Sequence, residues 1–274
     1  MATLELLDSA RIRAQLQGLH ERRLYSFDVP LEVDSTNIRL LSGSPPPFGR
    51  ADVCIAESQR AGRGRLGRTW ISPLGASIAM SIGWAFPACR GDLPALSLAA
   101  GVAVARALMR VGAQGVMLKW PNDIWFRDRK IGGILLESRA TLDGPAFVVL
   151  GIGINLTLDA EARAAMQAAG VNAAALAEAC PAVPSRNQVA GAILDEVLGM
   201  LVQFEQDGLA PFLGAWAGLD ALKGRTSRVW MGEISTVGRA RGVDGQGALL
   251  LEVDGQMQKF NSGEVSLRLE GEAA

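Results

Sequence analysis

Glu57-Ser58-Gln59-Arg60-Ala61-Gly62-Arg63-Gly64-Arg65-Leu66-Gly67-Arg68-Thr69-Trp70 follows an apolar run, Val53 to Ala56, that reads as a strand. Four arginines and three glycines fall between Arg60 and Arg68. Gly62, Gly64 and Gly67 satisfy G-x-G-x-x-G, which raises a doubly wound dinucleotide-binding fold. Such a fold needs a helix opening at the last glycine and an acidic residue about twenty positions on. Ile71-Ser72-Pro73-Leu74-Gly75 interrupts that helix, and the region around Pro87 is not acidic. A protein-kinase glycine loop is excluded because the chain has no His-Arg-Asp triplet. A P-loop is excluded because no lysine follows a glycine. The physics of the stretch remains. Glycines let backbone N–H groups turn inward, and guanidiniums grip carboxylate or phosphate oxygens bidentately. The loop suits a ligand with two anionic parts, such as a carboxylic acid joined to a phosphate.

Working outward, the chain reads as mixed helix and strand. Asp8 to His20 has helical spacing, and Val29 to Val33 looks extended. Asp34-Ser35-Thr36-Asn37 offers helix N-caps ahead of Ile38, Leu40 and Leu41. Ser77 to Trp84 reads as a strand, and Leu96 to Val111 as a buried helix. Val116–Lys119, Ile131–Glu137 and Phe147–Ile154 have the look of short buried strands. Ala160 to Ala179 reads as helix broken at Gly170, and Gln188 to Glu205 as a clear amphipathic helix. After Gly218 the texture changes to short alternating runs with turn signals at Asp244-Gly245 and Asp254-Gly255. Four or five strands there imply a small barrel, with a domain boundary near Leu222: residues 1–221 and 222–274.

Composition narrows the function. The chain has 274 residues, 49% hydrophobic and 20% charged, the balance of a packed globular protein. A net charge of −1 gives no global field toward nucleic acid or anionic membrane. Cys54, Cys89 and Cys180 form no C-x-x-C pair, which argues against a zinc or redox motif and for a reducing compartment. The N-terminus lacks a basic n-region, and the longest apolar stretch, Leu93 to Met109, falls short of a bilayer span. A cytoplasmic location is therefore expected. The single histidine, His20, excludes multi-histidine metal sites and reads as a partly exposed helix residue.

Further segments then bear on the loop. These are Lys119-Trp120-Pro121-Asn122-Asp123, Arg129-Lys130-Ile131-Gly132-Gly133-Ile134-Leu135, and Gly151-Ile152-Gly153-Ile154-Asn155-Leu156. With Asp34-Ser35-Thr36-Asn37 and the Gly-Arg-Gly-Arg loop, their set and order resemble the biotin–protein ligases. The resemblance spans about residues 28 to 270, including Gly247-Ala248-Leu249-Leu250-Leu251 and Gly263-Glu264-Val265-Ser266-Leu267-Arg268. It implies an α+β fold: a mixed-sheet catalytic domain of the biotin/lipoate ligase type with a small C-terminal SH3-like β-barrel.

The resemblance also implies chemistry and site residues. Biotin and ATP would form biotinyl-5′-AMP, and a lysine of a biotin carboxyl carrier domain would take the biotinyl group. Mg²⁺ would enter mainly with ATP. Ser35, Thr36 and Asn37 match positions that hold the biotin ureido ring, with Gln59 beside them. Arg63, Gly64 and Arg65 would close over the acid and the adenylate phosphate, and Gly133 and Leu135 would line the biotin slot. Lys130 matches the cation on the reacting carboxylate, a compact point charge, and is the expected catalytic residue with Arg63 and Arg65. Arg65, Arg68, Trp70, Asn122, Asp123, Asn155 and Arg268 would surround the nucleotide, with Asp123 or Asn155 nearest Mg²⁺.

Plain structural readings stand beside these. Ser35 and Asn37 fit a helix cap, Pro121-Asn122-Asp123 and Asn155 fit turns, and Trp120 and Trp125 fit packing. Lys130 beside Arg129 fits a solvated strand end. Two departures are visible. Little chain precedes Ser35, so no winged helix-turn-helix is expected, and neither is nucleic acid as a partner. Val171 and Ala173-Ala174-Ala175 replace the aromatic or Thr-Ser residues frequent near the family's adenine loop. A monomer or a homodimer both fit. The rivals are a lipoate- or octanoate-transferring ligase of the same fold, and a non-catalytic protein-binding adaptor.

Overall fold

A computed structural model describes residues 5–140, 144–262 and 265–269, with backbone alone at Ala140, Val265, Ser266, Arg268 and Leu269. Two short helices, α1 (Ser9–Arg13) and α2 (Gly18–Glu21), precede β1 (Leu24–Asp28), β2 (Glu32–Val33) and α3 (Thr36–Leu41). Next come β3 (Ala51–Ala56), β4 (Ser58–Gln59), β5 (Ser77–Phe86) and α4 (Leu96–Arg110). Strands β6 (Val116–Lys119), β7 (Asp123–Phe126), β8 (Arg129–Ala140) and β9 (Ala146–Asn155) lead into α5 (Ala160–Ala168), α6 (Arg186–Asp207) and α7 (Leu213–Leu219). The last strands are β10 (Thr226–Met231), β11 (Ile234–Val243), β12 (Leu249–Val253), β13 (Gln256–Phe260) and β14 (Val265–Leu269).

Among the described residues the large sheet has seven strands in the order β1-β3-β5-β9-β8-β7-β6. Only β1 and β3 pair in parallel, and the link between them, carrying β2 and α3, is the crossover such pairing demands. Successive residues of β5 point to opposite faces. Ser81 meets Thr36 of α3, with their oxygens 2.7 Å apart, while Trp84 donates to Glu205 of α6 at 2.8 Å. So α3 lies on one face and α6, with α4 against it, on the other. Helix α4 is buried almost all round, as its alanine-rich sequence predicts. Contrary to the expectation that this stretch falls short of a span, Leu93–Arg110 is long and apolar enough for a bilayer, yet 78% of it is buried inside the protein, as in a core helix. Helix α6 opens with a Ser185–Gln188 capping box, which satisfies backbone N–H groups at its start.

Three further expectations differ from the structure. The helix expected over Asp8–His20 is split into α1 and α2. Between them Gln17 N–H donates to Asp195 of α6 at 2.9 Å, and His20 Nδ1 sits 2.7 Å from the same oxygen. Those tertiary bonds outweigh the helix's weak intrinsic preference over so few turns. The break expected at Gly170 is there, with α5 ending at Ala168 and Gly170 at φ 74°, but the α-helix expected to continue to Ala179 does not resume. Beyond Gly170 the backbone turns to the sheet: Lys130 N–H donates to Asn172 O at 2.8 Å, and Ala174 N–H to Lys130 O at 2.9 Å. The turn read at Pro121-Asn122-Asp123 leads at once into β7, a strand that the sequence reading passed over.

The C-terminal strands form an antiparallel five-stranded sheet, order β13-β12-β11-β10-β14, of the SH3-like type expected. Its β12–β13 hairpin turns at Asp254-Gly255, φ 49° and 77°, both in the left-handed region that a two-residue turn of this kind requires. It docks on the larger unit through Trp120, which is 2% exposed and donates from Nε1 to Gly247 O at 3.1 Å.

Candidate functional site

The α3 face of the large sheet carries a cleft of about 1140 Å³. Its floor is opened by glycine. A Cβ at Gly151 would lie 2.3 Å from Asn37 Oδ1, and one at Gly153 would lie 2.4 Å from the Trp70 ring. Only hydrogen lets α3 and the loop after β4 approach β9 so closely.

One end is a neutral polar pocket. Ser35 caps α3 and Thr36 and Asn37 open it, each 3% exposed. Gln59 Oε1 accepts from Thr36 N at 2.9 Å, and Thr36 Oγ1 lies 3.1 Å from it. A buried ion pair lies two residues before Gln59. Glu57, at the turn between β3 and β4, forms it with Arg186 of α6 at 2.7 Å. Ser81, a residue with no signal in the sequence beyond its strand, joins Thr36 to Asn37 by hydrogen bonding with the Asn37 amide oxygen. These groups match a small ligand carrying both N–H donors and a carbonyl acceptor.

The other end is cationic. Gly62 to Trp70 forms a small hairpin, closed by Gly64 N–H to Arg68 O at 2.7 Å and Trp70 N–H to Gly62 O at 2.9 Å. Leu66 and Gly67, at φ 55° and 73°, make its turn. The hairpin deals its arginines to different places. Arg60 is spent on the surface, 2.9 Å from Asp34 and 3.3 Å from Glu32. Arg63 pairs with Glu137 at 3.1 Å. Arg65 reaches inward to Asn122 Oδ1 at 3.2 Å and to the backbone oxygen of Ser262 in the C-terminal unit. Burial pushes the Arg65 guanidinium down, Asp123 opposes that and Arg68 adds to it. Arg68 itself is exposed at the rim.

Lys130 starts β8 and projects across the cleft, with Nζ 2.6 Å from Asp123 Oδ1 and 6.0 Å from the Trp70 ring centre. A Cβ on Gly133 would sit 3.2 Å from that Nζ, so the glycine leaves room for the ammonium. Leu135 lines the same cleft. Asn122 is held by its amide, donating to Ile134 O at 2.7 Å. Asn155, 2% exposed, donates to Ala174 O at 3.2 Å, but its Oδ1 is buried without a partner. Trp70 Nε1 is in the same condition. Buried polar atoms rarely stay unpaired, and both of these residues line the cleft.

The segment after α5 closes the cleft opposite α3. Arg163 donates to Ala173 O at 2.9 Å, and Glu178 takes Arg163 at 3.0 Å, Arg129 at 2.7 Å and Ala175 N–H at 2.9 Å. Burial raises the Glu178 carboxyl, but the Ala175 N–H and the two guanidiniums overcome it and hold the pKa down at about 2. Val171 and Ala173 line the cleft here.

The structure thus brings together Ser35, Thr36, Asn37, Gln59, Arg63, Gly64, Arg65, Arg68, Trp70, Asn122, Asp123, Lys130, Gly133, Leu135 and Asn155. The side chain of Arg268 lies outside the described residues. Sequence reasoning missed Ser81 and Glu137, which act on the expected residues from neighbouring strands. The parity of β8 offered a signal for the second, because Gly133, Leu135 and Glu137 share a face. Trp120 packs against the C-terminal unit, as its plain reading had it.

This fold and cleft are shared. Residues 34–155 match the Biotin/lipoate A/B protein ligase family, and residues 228–268 match the Biotin protein ligase C terminal domain. The bifunctional ligase/repressor BirA of Escherichia coli is 37% identical over 97% of this chain and 79% of its own length. The biotin–[acetyl-CoA-carboxylase] ligase of Mycobacterium tuberculosis is 35% identical over 94% of this chain and 95% of its own. A solved structure of the Aquifex aeolicus biotin protein ligase in complex with biotin and ATP superposes with a TM-score of 0.73. It is 27% identical and covers 90% of this chain and 100% of its own. The chain belongs to the biotin protein ligase family.

Proposed function

We propose that the neutral pocket holds the biotin ureido ring, and that Lys130 and Arg65 meet the reacting carboxylate and phosphate between it and the nucleotide. The chain is an ATP-dependent ligase that activates biotin as biotinyl-5′-AMP and transfers it to a lysine of a biotin carboxyl carrier domain. The observation that carries the residue assignment is the cleft's division: uncharged donors and acceptors at Thr36, Asn37 and Gln59, and cations at Lys130 and Arg65. That is the charge pattern of a uniform neutral ring joined by a chain to an anion.

In the first step a biotin carboxylate oxygen attacks the α-phosphorus of ATP, and the bond to pyrophosphate breaks. In the second a lysine amine attacks the acyl carbon, AMP leaves, and the amine loses a proton. Negative charge moves among phosphate and carbonyl oxygens in both, so fixed cations and alignment supply the catalysis. Lys130 takes the carboxylate oxygen as it becomes acyl-phosphate, exchanging its bond to Asp123 for the substrate. Arg65, anchored at Asn122 and Ser262, holds the phosphate, and Arg68 serves at the rim. Arg63 and Gly64 cover the acid. Trp70 and the Arg163-braced segment flank the nucleotide, with Trp70 Nε1 as a donor waiting for it.

Mg²⁺ fits as an ion borne by the triphosphate. Among the described residues there is no cluster of three His, Cys, Asp or Glu for it, while the orphaned Asn155 Oδ1 is the hard oxygen it accepts. Asp123 is the second candidate. Bound there, Mg²⁺ would neutralise phosphate charge.

The carrier domain docks beside the Gly62–Thr69 hairpin, whose far side is open to solvent. Nucleic acid is not a partner: the arginine concentration sits on a turn and is half-neutralised by Glu32, Asp34 and Glu137. The protein works in the cytoplasm, and its units divide near Leu222. Incubation with α-labelled ATP and biotin is the test. Labelled biotinyl-AMP is expected, chased by a carrier domain; label with lipoate or octanoate instead would move the chain to the lipoate side of the fold.

A further inference from the structure

We infer that Glu137 is a positioning residue that locks the arginine hairpin to the ureido pocket, and that Arg63 serves as its latch while Arg65 alone of the two meets phosphate. The inference rests on the reading of the cleft as a biotin site. Glu137 lies on the cleft face of β8, two steps beyond Leu135, and stands behind the pocket wall with a side chain 20% exposed. Its two oxygens are divided. Oε2 accepts from Asn37 Nδ2 at 2.9 Å, and Oε1 pairs with Arg63 Nη1 at 3.1 Å. One carboxylate therefore spans β8, the first turn of α3 and the hairpin.

Each bond carries a consequence. A carboxylate is acceptor-only, so it dictates that the Asn37 amide turns its NH₂ toward β8. The Asn37 oxygen is then presented to Ser81 and to Gly151, where a Cβ would meet it at 2.3 Å. The pocket floor thus has one arrangement of donors and acceptors rather than two. The second bond ties the hairpin at Arg63, next to the Gly64–Arg68 backbone bond that closes it. Ordering a glycine-rich loop costs backbone conformational entropy at every residue fixed. A fixed tether at one residue removes part of that cost before biotin arrives. The substrate then finds its cover already placed, and the phosphate falls to Arg65, which faces Asn122 on the other side of the hairpin.

A double-mutant cycle with the intact chain tests this. Glu137→Gln keeps an amide oxygen for Asn37 but offers Arg63 no charge. It should raise the KM for biotin about tenfold while the KM for ATP and kcat move less than about threefold. Arg63→Ala should give the same split, whereas Arg65→Ala should raise the KM for ATP. Adding Glu137→Gln to Arg63→Ala should cost less than about twofold more, since coupled residues are not additive. Glu137→Ala, which loses both bonds, should also lower the melting temperature; if it does not fold, the Glu137→Gln cycle decides alone. An equal cost of Glu137→Gln in the wild-type and Arg63→Ala backgrounds would overturn the inference, as would an unchanged biotin KM. If the wild-type chain makes no labelled biotinyl-AMP, the reading of the cleft falls instead.

Discussion

Lys130 illustrates how a single charge is kept ready. In the free cleft its ammonium rests on Asp123 at 2.6 Å, half-shielded from water. A compact ammonium can leave one carboxylate for another with little rearrangement, which a planar guanidinium cannot. Lys130→Ala should lower kcat for biotinyl-AMP formation by roughly 10²–10³, with a smaller change in the KM for ATP. Lys130→Arg should recover little of it. Single-turnover formation of labelled adenylate reads both, and near-normal turnover in Lys130→Ala would transfer the role to Lys119, which is buried over the Trp125 ring at 4.3 Å. A second residue-scale prediction concerns pH. Glu178, held down at about 2 from an ordinary 4.5, contributes stability that is complete above about 4.5 and is lost as pH falls through about 2. Wild type should therefore melt higher than Glu178→Gln by a constant margin from pH 6 to 8. The margin should shrink below pH 4.5, and a margin that grows on acidification would contradict the ion-pair account.

Elements show why some of this was legible in the sequence and some was not. The arginine hairpin, the α3 cap and the Lys130-Ile131-Gly132-Gly133 start of β8 are local, so spacing alone exposed them. Ser81 and Glu137 gain their meaning from partners 44 to 100 positions away, which no window along the chain brings together. The alanine-rich run after Asp159 breaks at Gly170-Val171-Asn172, as propensity allows, but alanines 173–175 stay out of helix because the backbone of Lys130 offers the segment two hydrogen bonds. Strand β9 was legible as apolar but not as a floor: Gly151 and Gly153 sat in the strand with no role of their own, and only the packed structure shows what occupies the missing Cβ positions. That gives a prediction for the element. Gly153→Ala would thrust a methyl to 2.4 Å from the Trp70 indole, which must then leave the position proposed to flank the nucleotide. The KM for ATP should rise about tenfold or more, with that for biotin changed less. Equal effects on both substrates would show that the strand itself had shifted.

At the scale of the whole molecule, the two units share a continuous apolar core, and specific polar contacts at their joint reach the site. Gly247 sits at φ 81°, where a Cβ would lie 2.8 Å from the Ala95 methyl and 2.9 Å from Leu98 Cδ1 at the start of α4. Its carbonyl takes the only side-chain donor Trp120 has, at 3.1 Å, in a place where Trp120 is 2% exposed. Across the same seam Arg65 reaches the Ser262 carbonyl, so the docked C-terminal sheet helps hold the arginine proposed for the phosphate. Trp120→Phe preserves the packing and leaves Gly247 O buried without its donor, a loss of about 1–3 kcal/mol. Gly247→Ala adds a left-handed backbone cost of about 1–2 kcal/mol to a steric clash with the Ala95 methyl, which is fixed to its backbone at the start of α4. Both variants should melt below wild type. Because they strike one joint, the double variant should melt only slightly below the worse single one. Loosening the joint should also free Arg65, so the KM for ATP should rise in both while that for biotin, bound by α3 and β4 on the far side, holds. Melting curves beside the two KM values provide the measurement. A destabilised Gly247→Ala chain with an unaltered KM for ATP would mean that the C-terminal sheet is docked for stability alone and lends the site nothing.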